Sequence, residues 1–542
     1  GAEAGRRLST GVKNTIVGAL AGDHLTSGNY NVAIGYQALT LEDAHGRNVA
    51  VGYNTLRDLN AGADAYNIAI GYEAGKTVST GIRNVLIGGD AGITMTSASY
   101  NIAIGYNALG DEITNSHNVA IGDASMSSSE YSAKNVAIGS NTLQNVTNGS
   151  STDTYNTAIG YNAGMNITTA IRNVLVGGLA GDALTTGNKN VAVGMFALST
   201  EDANAGNTAI GYAALEQQNA GADVYNTAVG YATGSTITTG GYNTLMGGFT
   251  GDALTTGADN VAVGYAALST EDTHGKNVAI GNYALQDQDA GADAYNVAIG
   301  YNAGKEVTTG LLNTIIGGLA GDAFTTGTRN VSLGYLALSA EDTGSRNVAI
   351  GAEALLVANN DANNYNTAVG DSAGEAVSSG TQNTIIGGLA GDQLTTGDNN
   401  IIIGYAAAAS AVGVDNEITL GDANISAFRC ADQSIAALSD GRDKSDVKDS
   451  GFGLDFIDSI RPVEFTWDFR PENMSENKQG KKRVGFIAQE LQEAMPNGEN
   501  EILDLVYDIN ENRIEAKYGN LVPILVKAVQ ELSAKVKMLE NK

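Results

Sequence analysis

The sequence predicts a mainly β, repetitive fold: a β-solenoid of 17–19-residue coils, expected to be trimeric, followed by a small α+β domain that ends in a coiled-coil helix. Three observations predict it. Glycine supplies 70 of 542 residues, yet the glycines do not fall at every third position and only 4 prolines are present, which excludes collagen. A short unit, N-x-[A/L/I]-x-G, recurs 23 times between Asn14 and Asn400. The prolines (Pro462, Pro471, Pro496, Pro523) and the only tryptophan, Trp467, all lie beyond residue 460, while the four histidines (His24, His45, His117, His274) lie before residue 300. The chain therefore divides into a repetitive shaft over 1–415, a junction over 416–438 and a C-terminal domain over 439–542.

The repeat carries the first assignment. NVAIGY from Asn31, NIAIGY from Asn67 and NTAIGY from Asn156 are typical units; most steps between leading asparagines are 17 residues, some 19 and one 21. A double-glycine variant begins at Asn14 (its first pair broken by Ala19), Asn84, Asn173, Asn243, Asn313 and Asn383, at steps of 70, 89, 70, 70 and 70. Four units make a 70-residue block, and the 89-residue step holds one more unit. A unit this short cannot bury a face alone, so units must stack.

Alternation in Val32-Ala33-Ile34 predicts a short strand. The bulky pair, Val32 and Ile34, is expected inside the coil, and Ala33 at a close contact with a neighbouring strand or chain. Gly35 permits a corner with positive φ. The recurring asparagine predicts a stacked amide ladder or Asx turn. At about 4.8 Å per coil, the coils would make a rod of roughly 110 Å.

Charge excludes several functions. The formal net charge is −29, of which −5 falls from Ser439 onward and −24 on the repetitive part. Nucleic acid needs a basic face, so it is not an expected partner. No run of 18 apolar residues exists, and no membrane insertion is expected. The opening GAEAGRRLST has neither a signal-like apolar core nor an initiator Met, so a processed chain with a missing attachment region is expected. The single cysteine, Cys430, rules out an intrachain disulfide framework and is expected as a buried thiol.

No cofactor and no metal are expected. GGLAGD, Gly317–Asp322, resembles a calcium-binding repeat, but the third glycine is misplaced and the motif recurs only every fourth coil, so it reads as a turn. The acidic pairs Glu201–Asp202 and Glu271–Asp272 resemble glycosidase carboxylates. They recur in several blocks, as a single active site does not, and are expected on a solvated face. Tyrosines follow the corner glycine (Tyr36, Tyr72) or precede the asparagine (Tyr66, Tyr155). Packing between coils or chains is expected of them in preference to glycan binding.

The C-terminal region carries a resemblance. SDGRDK (Ser439–Lys444), LDFIDSIRPVEFTW (Leu454–Trp467), VGFIAQELQEAMP (Val484–Pro496) and YGNLVPILVKAVQEL (Tyr518–Leu532) together resemble the self-cleaving intramolecular chaperone domain of phage tail spikes, tail fibres and endosialidases. Asp443 departs from the family pattern, where an apolar residue is common. The resemblance implies a domain that assembles three chains and then cuts itself off between Leu438 and Ser439, with Ser439 as nucleophile and Lys444 as general base. Asp440, Arg442, Gln489 and Glu490 would support the site.

In the terminal helix, Val522, Leu525, Val529, Leu532, Val536 and Leu539 are spaced 3-4-3-4-3 as a heptad seam. Valine alternating with leucine favours dimers in isolated coils, so the domain body would have to set a trimer. The expected whole is a homotrimeric phage tail fibre in the virion, assembled in the host cytoplasm. Its expected partners are other tail proteins and a host cell-surface receptor, either a glycan or an outer-surface protein. A polysaccharide depolymerase tail spike and a bacterial surface adhesin are the alternatives.

Overall fold

The structure, a computed structural model, describes residues 1–429, 439–468, 470, 478–495, 500–510 and 514–541. It separates into two compact units, Gly1–Tyr335 and Leu336–Lys542.

The first unit is a parallel β-solenoid. Nineteen three-residue strands, from Thr15–Val17 through Val32–Ile34 to Val331–Leu333, supply one side of successive coils. Each pairs in parallel and in register with the next, as Thr15 with Val32 and Ile16 with Ala33. A side pair, Glu130–Ala133 with Thr147–Asp153, accompanies the 21-residue step. Five further coil strands, Val348–Ile350 to Ile418–Leu420, open the second unit.

The asparagines form the expected ladders. The Asn14 Oδ1 accepts the backbone N–H of Asn31 at 2.8 Å, and Asn31 Oδ1 accepts that of Asn48 at 3.0 Å. The amide end turns the other way: Asn67 Nδ2 donates to Gly81 O at 2.8 Å. Within the second unit, Asn383 and Asn400 continue the same pattern at 2.9 Å. These side chains are buried from Asn31 on, so the bonds satisfy groups that would otherwise be costly in the interior.

The strand faces are the reverse of the expectation. Ala33 is fully buried, whereas Val32 and Ile34 are half-buried on the outer face. Ile68 and Ile70 reach 39% and 40% exposure. Space is the reason: the interior is already filled from the opposite turn by residues such as Ala38 and Leu39, both fully buried, so most coils have room only for a methyl group at the strand centre.

That constraint also explains the four-coil block. Where the strand centre is leucine, as at Leu86, the position eight residues after the leading asparagine is glycine in that coil (Gly92) and in the coil before it (Gly75). A Cβ at Gly75 would lie 2.6 Å from Leu86 Cδ1, and one at Gly92 would lie 3.1 Å from Leu86 Cδ2. Other coils carry leucine at this position, including Leu39, Leu56 and Leu109. Leu175 sits in the same way between Gly164 and Gly181.

Gly35 turns the corner at φ +135°, and an added Cβ would stand 2.1 Å from Gly52 O in the next coil. Other corners use non-glycine residues in the left-handed region, as Tyr30, Gln37 and Leu39 do in one coil at φ 62°, 52° and 53°. Each such residue costs roughly 1–2 kcal/mol. Inter-coil hydrogen bonds offset the cost: Gln37 N–H donates to Ala19 O at 3.0 Å and Leu39 N–H to Thr55 O at 3.0 Å.

The C-terminal part of the second unit is a small α+β assembly. Helix α1 (Leu454–Ser459) leads into strand Val463–Thr466, which pairs antiparallel with Lys482–Gly485. Helices α2 (Ala488–Glu493) and α3 (Asn500–Leu503), the short antiparallel pair Val506–Tyr507 and Glu515–Ala516, and the long helix α4 (Leu521–Glu540) follow. Phe456, Ile460, Leu491, Met495, Leu505, Leu521 and Ile524 form one apolar core. Glu531 of α4 accepts the Leu454 backbone N–H at 2.9 Å, tying α4 to the start of α1.

Candidate processing site

Ser439 and Lys444 stand at the two ends of a short turn. Asp440 caps it: its carboxylate accepts Arg442 N–H at 2.9 Å, and Gly441–Asp443 form one 3₁₀ turn. The Arg442 guanidinium also donates to Asp440, holding that carboxyl below its ordinary range. Lys444 leaves the turn in an extended conformation. Its Nζ lies 2.5 Å from Ser439 Oγ. The turn thus brings together a hydroxyl and an amine that are five residues apart.

Both side chains are exposed in the single chain. A lysine becomes a base when burial favours its neutral form, so this pair needs a cover to work as nucleophile and base. Leu438 and Cys430 lie outside the described residues. Gln489 is exposed on α2, and Glu490 pairs instead with the Arg461 guanidinium. Among the described residues, no hydrogen bond joins Gln489 or Glu490 to Ser439 or Lys444.

Helix α4 has two apolar stripes. Leu521, Ile524 and Ala528 are buried within the domain. The heptad seam faces away: Val522, Leu525, Val529, Leu532, Val536 and Leu539 are all exposed.

On the shaft, the tyrosines stack between coils. The Tyr36, Tyr53 and Tyr72 rings follow one another at centroid separations of 5.3 Å, and Arg47 lies over the Tyr66 ring at 5.2 Å. The acidic pairs are solvated only in part: Asp202 and Asp272 are exposed as expected, and the glutamates are not. Glu201 and Glu271 are fully buried, because each carboxylate folds inward to accept the backbone N–H three residues on, from Asn204 at 2.9 Å and His274 at 3.0 Å. Spacing alone carried no signal for this inward turn. The recurrence of glutamate before a tight loop could have supplied it. Among the described residues, no helix is long and apolar enough to cross a membrane.

Fold and site together define a protein with a glycine-cornered β-solenoid shaft and a compact C-terminal domain bearing a serine–lysine pair. Residues 439–498, which hold the turn, α1, the first antiparallel pair and α2, match the family model described as chaperone of endosialidase. No curated protein matches the chain.

Proposed function

We propose that this chain is the shaft and assembly domain of a homotrimeric phage tail fibre that attaches the virion to a host cell-surface receptor. The C-terminal domain aligns three chains and then leaves by self-cleavage at Leu438–Ser439. The observation that carries this reading is the second apolar stripe of α4, exposed along its length beside a domain matching the chaperone of endosialidase family. A row of six exposed apolar side chains at heptad spacing calls for partner helices.

The same logic reassigns the contact between shafts. Ala33 fills the coil interior, so the outer Val/Ile column, including Ile159, Val174, Ile401 and Ile403, is the apolar face available to neighbouring chains. Three chains meeting there would cover it. The repeated coils need an aligning device because near-identical strands specify register weakly.

In the cleavage step, Ser439 Oγ attacks the Leu438 carbonyl carbon while Lys444 Nζ accepts the hydroxyl proton. The C–N bond breaks, the Ser439 nitrogen takes a proton to become an amine, and Leu438 is held as an ester on Oγ. Water then hydrolyses the ester and frees both ends. Trimer contact would supply the cover that the Ser439–Lys444 pair needs.

Sedimentation of the purified chain tests the assembly. A trimer is expected for the wild type and loss of trimer for Leu525→Lys with Val529→Lys. A wild-type monomer or dimer would overturn the reading.

A further inference from the structure

Five shaft loops place a glutamate side chain inside the coil, and the loops differ in how they satisfy it. Glu201 is met on both oxygens by Asn204: the backbone N–H donates to Oε1 at 2.9 Å and the side-chain Nδ2 to Oε2 at 3.0 Å. Glu341 takes Gly344 N–H on Oε1 at 2.7 Å and Asn364 Nδ2 on Oε2 at 2.9 Å. Glu42 and Glu271 have histidine where Glu201 has Asn204. His45 and His274 give their backbone N–H to Oε1 at 3.0 Å; beyond that each carboxylate has only a longer backbone contact, from Ala61 or Ala290, and its second oxygen is buried without a hydrogen bond of normal geometry. Glu112 also has an unpartnered Oε2, yet Ile113 stands where the other four loops carry aspartate.

The two histidine loops share a further arrangement. Glu42, Asp43 and His45 each offer a ligand atom within 4.8 Å of the others, and so do Glu271, Asp272 and His274. His45 Nδ1 is buried without a hydrogen-bond partner and lies 3.4 Å from Glu42 Oε1. Donors around a tetrahedral zinc ion, each about 2.1 Å from it, stand ~3.4 Å apart. The aspartate carboxylate, whose oxygen lies within 4.8 Å of the other two ligand atoms, is the third candidate ligand. The backbone is fixed: Thr26 N–H donates to Asp43 O at 2.7 Å, and Thr255 N–H to Asp272 O at 2.6 Å. A buried carboxylate this thinly served by donors is stabilised by a cation or a proton.

We propose that Glu42–Asp43–His45 and Glu271–Asp272–His274 are two sites for a divalent first-row transition metal of the zinc class, each built from two carboxylates and one imidazole Nδ1, with water in the remaining position. This ligand set suits zinc better than calcium, which prefers oxygen ligands alone. The sites are not equal. Thr273 Oγ1 lies 2.9 Å from His274 Nδ1 and must turn away for metal to bind, whereas Ala44 offers no competing group. The first site is therefore the tighter.

The test uses the full untagged chain, stripped with chelator and titrated with zinc chloride by calorimetry, with metal counted after gel filtration. Two zinc ions per chain are expected, falling to one in His45→Asn or His274→Asn and to none in the double variant. Zinc should raise the melting temperature of the wild type and leave that of the double variant unchanged. The variants should fold, because the Glu201 loop already carries asparagine at this position; an unchanged circular dichroism spectrum verifies it. Absence of zinc uptake at micromolar concentration would overturn the proposal. Uptake that both variants retain would overturn it equally. Neither result depends on oligomeric state or on cleavage, so the proposed fibre function stands or falls separately.

Discussion

Tyr507 donates its phenolic hydrogen to a carboxylate oxygen of Glu417 at 2.8 Å, across 90 residues of chain. Glu417 occupies the place of the next asparagine in the ladder: its N–H is accepted by Asn400 Oδ1 at 2.9 Å. Ser410 shares the contact, and Asn510 Nδ2 donates to Ser410 O at 2.7 Å. The last coil and the C-terminal domain are thus joined by polar groups around one carboxylate. Burial raises that carboxyl, but hydrogen bonds from Ser410, Tyr507 and Thr419 outweigh it and hold Glu417 below its ordinary value of 4.5.

Tyr507→Phe should weaken this junction by about 1.5–3 kcal/mol, the worth of a hydrogen bond to a charged group. Because the folded value of Glu417 is depressed, its contribution is present above pH 4.5 and is lost as pH falls through the folded value. Protection over residues 405–420, taken relative to the intrinsic amide exchange rate at each pH, should fall in Tyr507→Phe at neutral pH and in the wild type on acidification. Unchanged protection would remove Glu417 as the joint.

Self-cleavage should yield a shaft ending at Leu438 and a fragment starting at Ser439. Ser439→Ala should abolish the cut and leave assembly intact, since folding does not need the hydroxyl. Lys444→Ala should slow it by orders of magnitude, because serine is a poor nucleophile without a base. Mass spectrometry decides: intact chain of 55.5 kDa persisting after trimer formation would end the catalytic assignment and spare the assembly role.

Gly35→Ala should destabilise the shaft by roughly 2–4 kcal/mol, since it combines a left-handed φ with a backbone clash. The added Cβ meets the carbonyl oxygen of Gly52 rather than a movable side chain, so the coil must shift. Thermal unfolding followed by circular dichroism measures the loss.

The shaft should be more stable in mild acid than in mild base. Burial pushes Glu112 and Glu341 up to about 7, against the backbone N–H groups that bond them. Asp342 raises Glu341 further, while Asn364 lowers it. Folded values above the ordinary 4.5 mean that this stability is full below 4.5 and is lost as pH rises through about 7. Melting temperature should fall between about pH 5 and about pH 8, and Glu112→Gln with Glu341→Gln should flatten the profile. A flat wild-type profile would refute the burial argument.

Periodicity revealed the coils and the asparagine ladder because both depend on one residue recurring at one place. It misassigned the strand faces, since alternation says which residues share a face and not which face is inward. Val32 and Ile34 are the bulkier pair, which by size alone points them inward; the turn residues Ala38 and Leu39, which fill the interior, follow no alternation. The coil beginning at Glu417 does not carry the repeat's signature, because glutamate replaces asparagine, although Ile418–Leu420 pairs in register with Ile401–Ile403. Left-handed φ at Tyr30 and Leu39 was invisible for a related reason: glycine advertises that conformation, and tyrosine and leucine do not. At the C-terminal turn, the motif drew attention to Ser439 and Lys444, but the cap by Asp440 that brings them together needed the fold.

The leucine held between two glycines sets how such a shaft can change its length over generations. Deleting the coil that begins at Asn84 would leave Gly75 facing the small Ala103 across a void, and deleting the Gly75 coil would press Leu86 against Leu56. Loss or gain of a whole 70-residue block leaves every such neighbour as it was. The one extra coil, in the 89-residue step, lies among coils that pair Ala120 with Met126 and Ala137 with Leu143, where no leucine is sandwiched. Recombination between near-identical blocks would therefore lengthen or shorten the shaft in whole notches, with single-coil additions confined to its alanine-centred stretches.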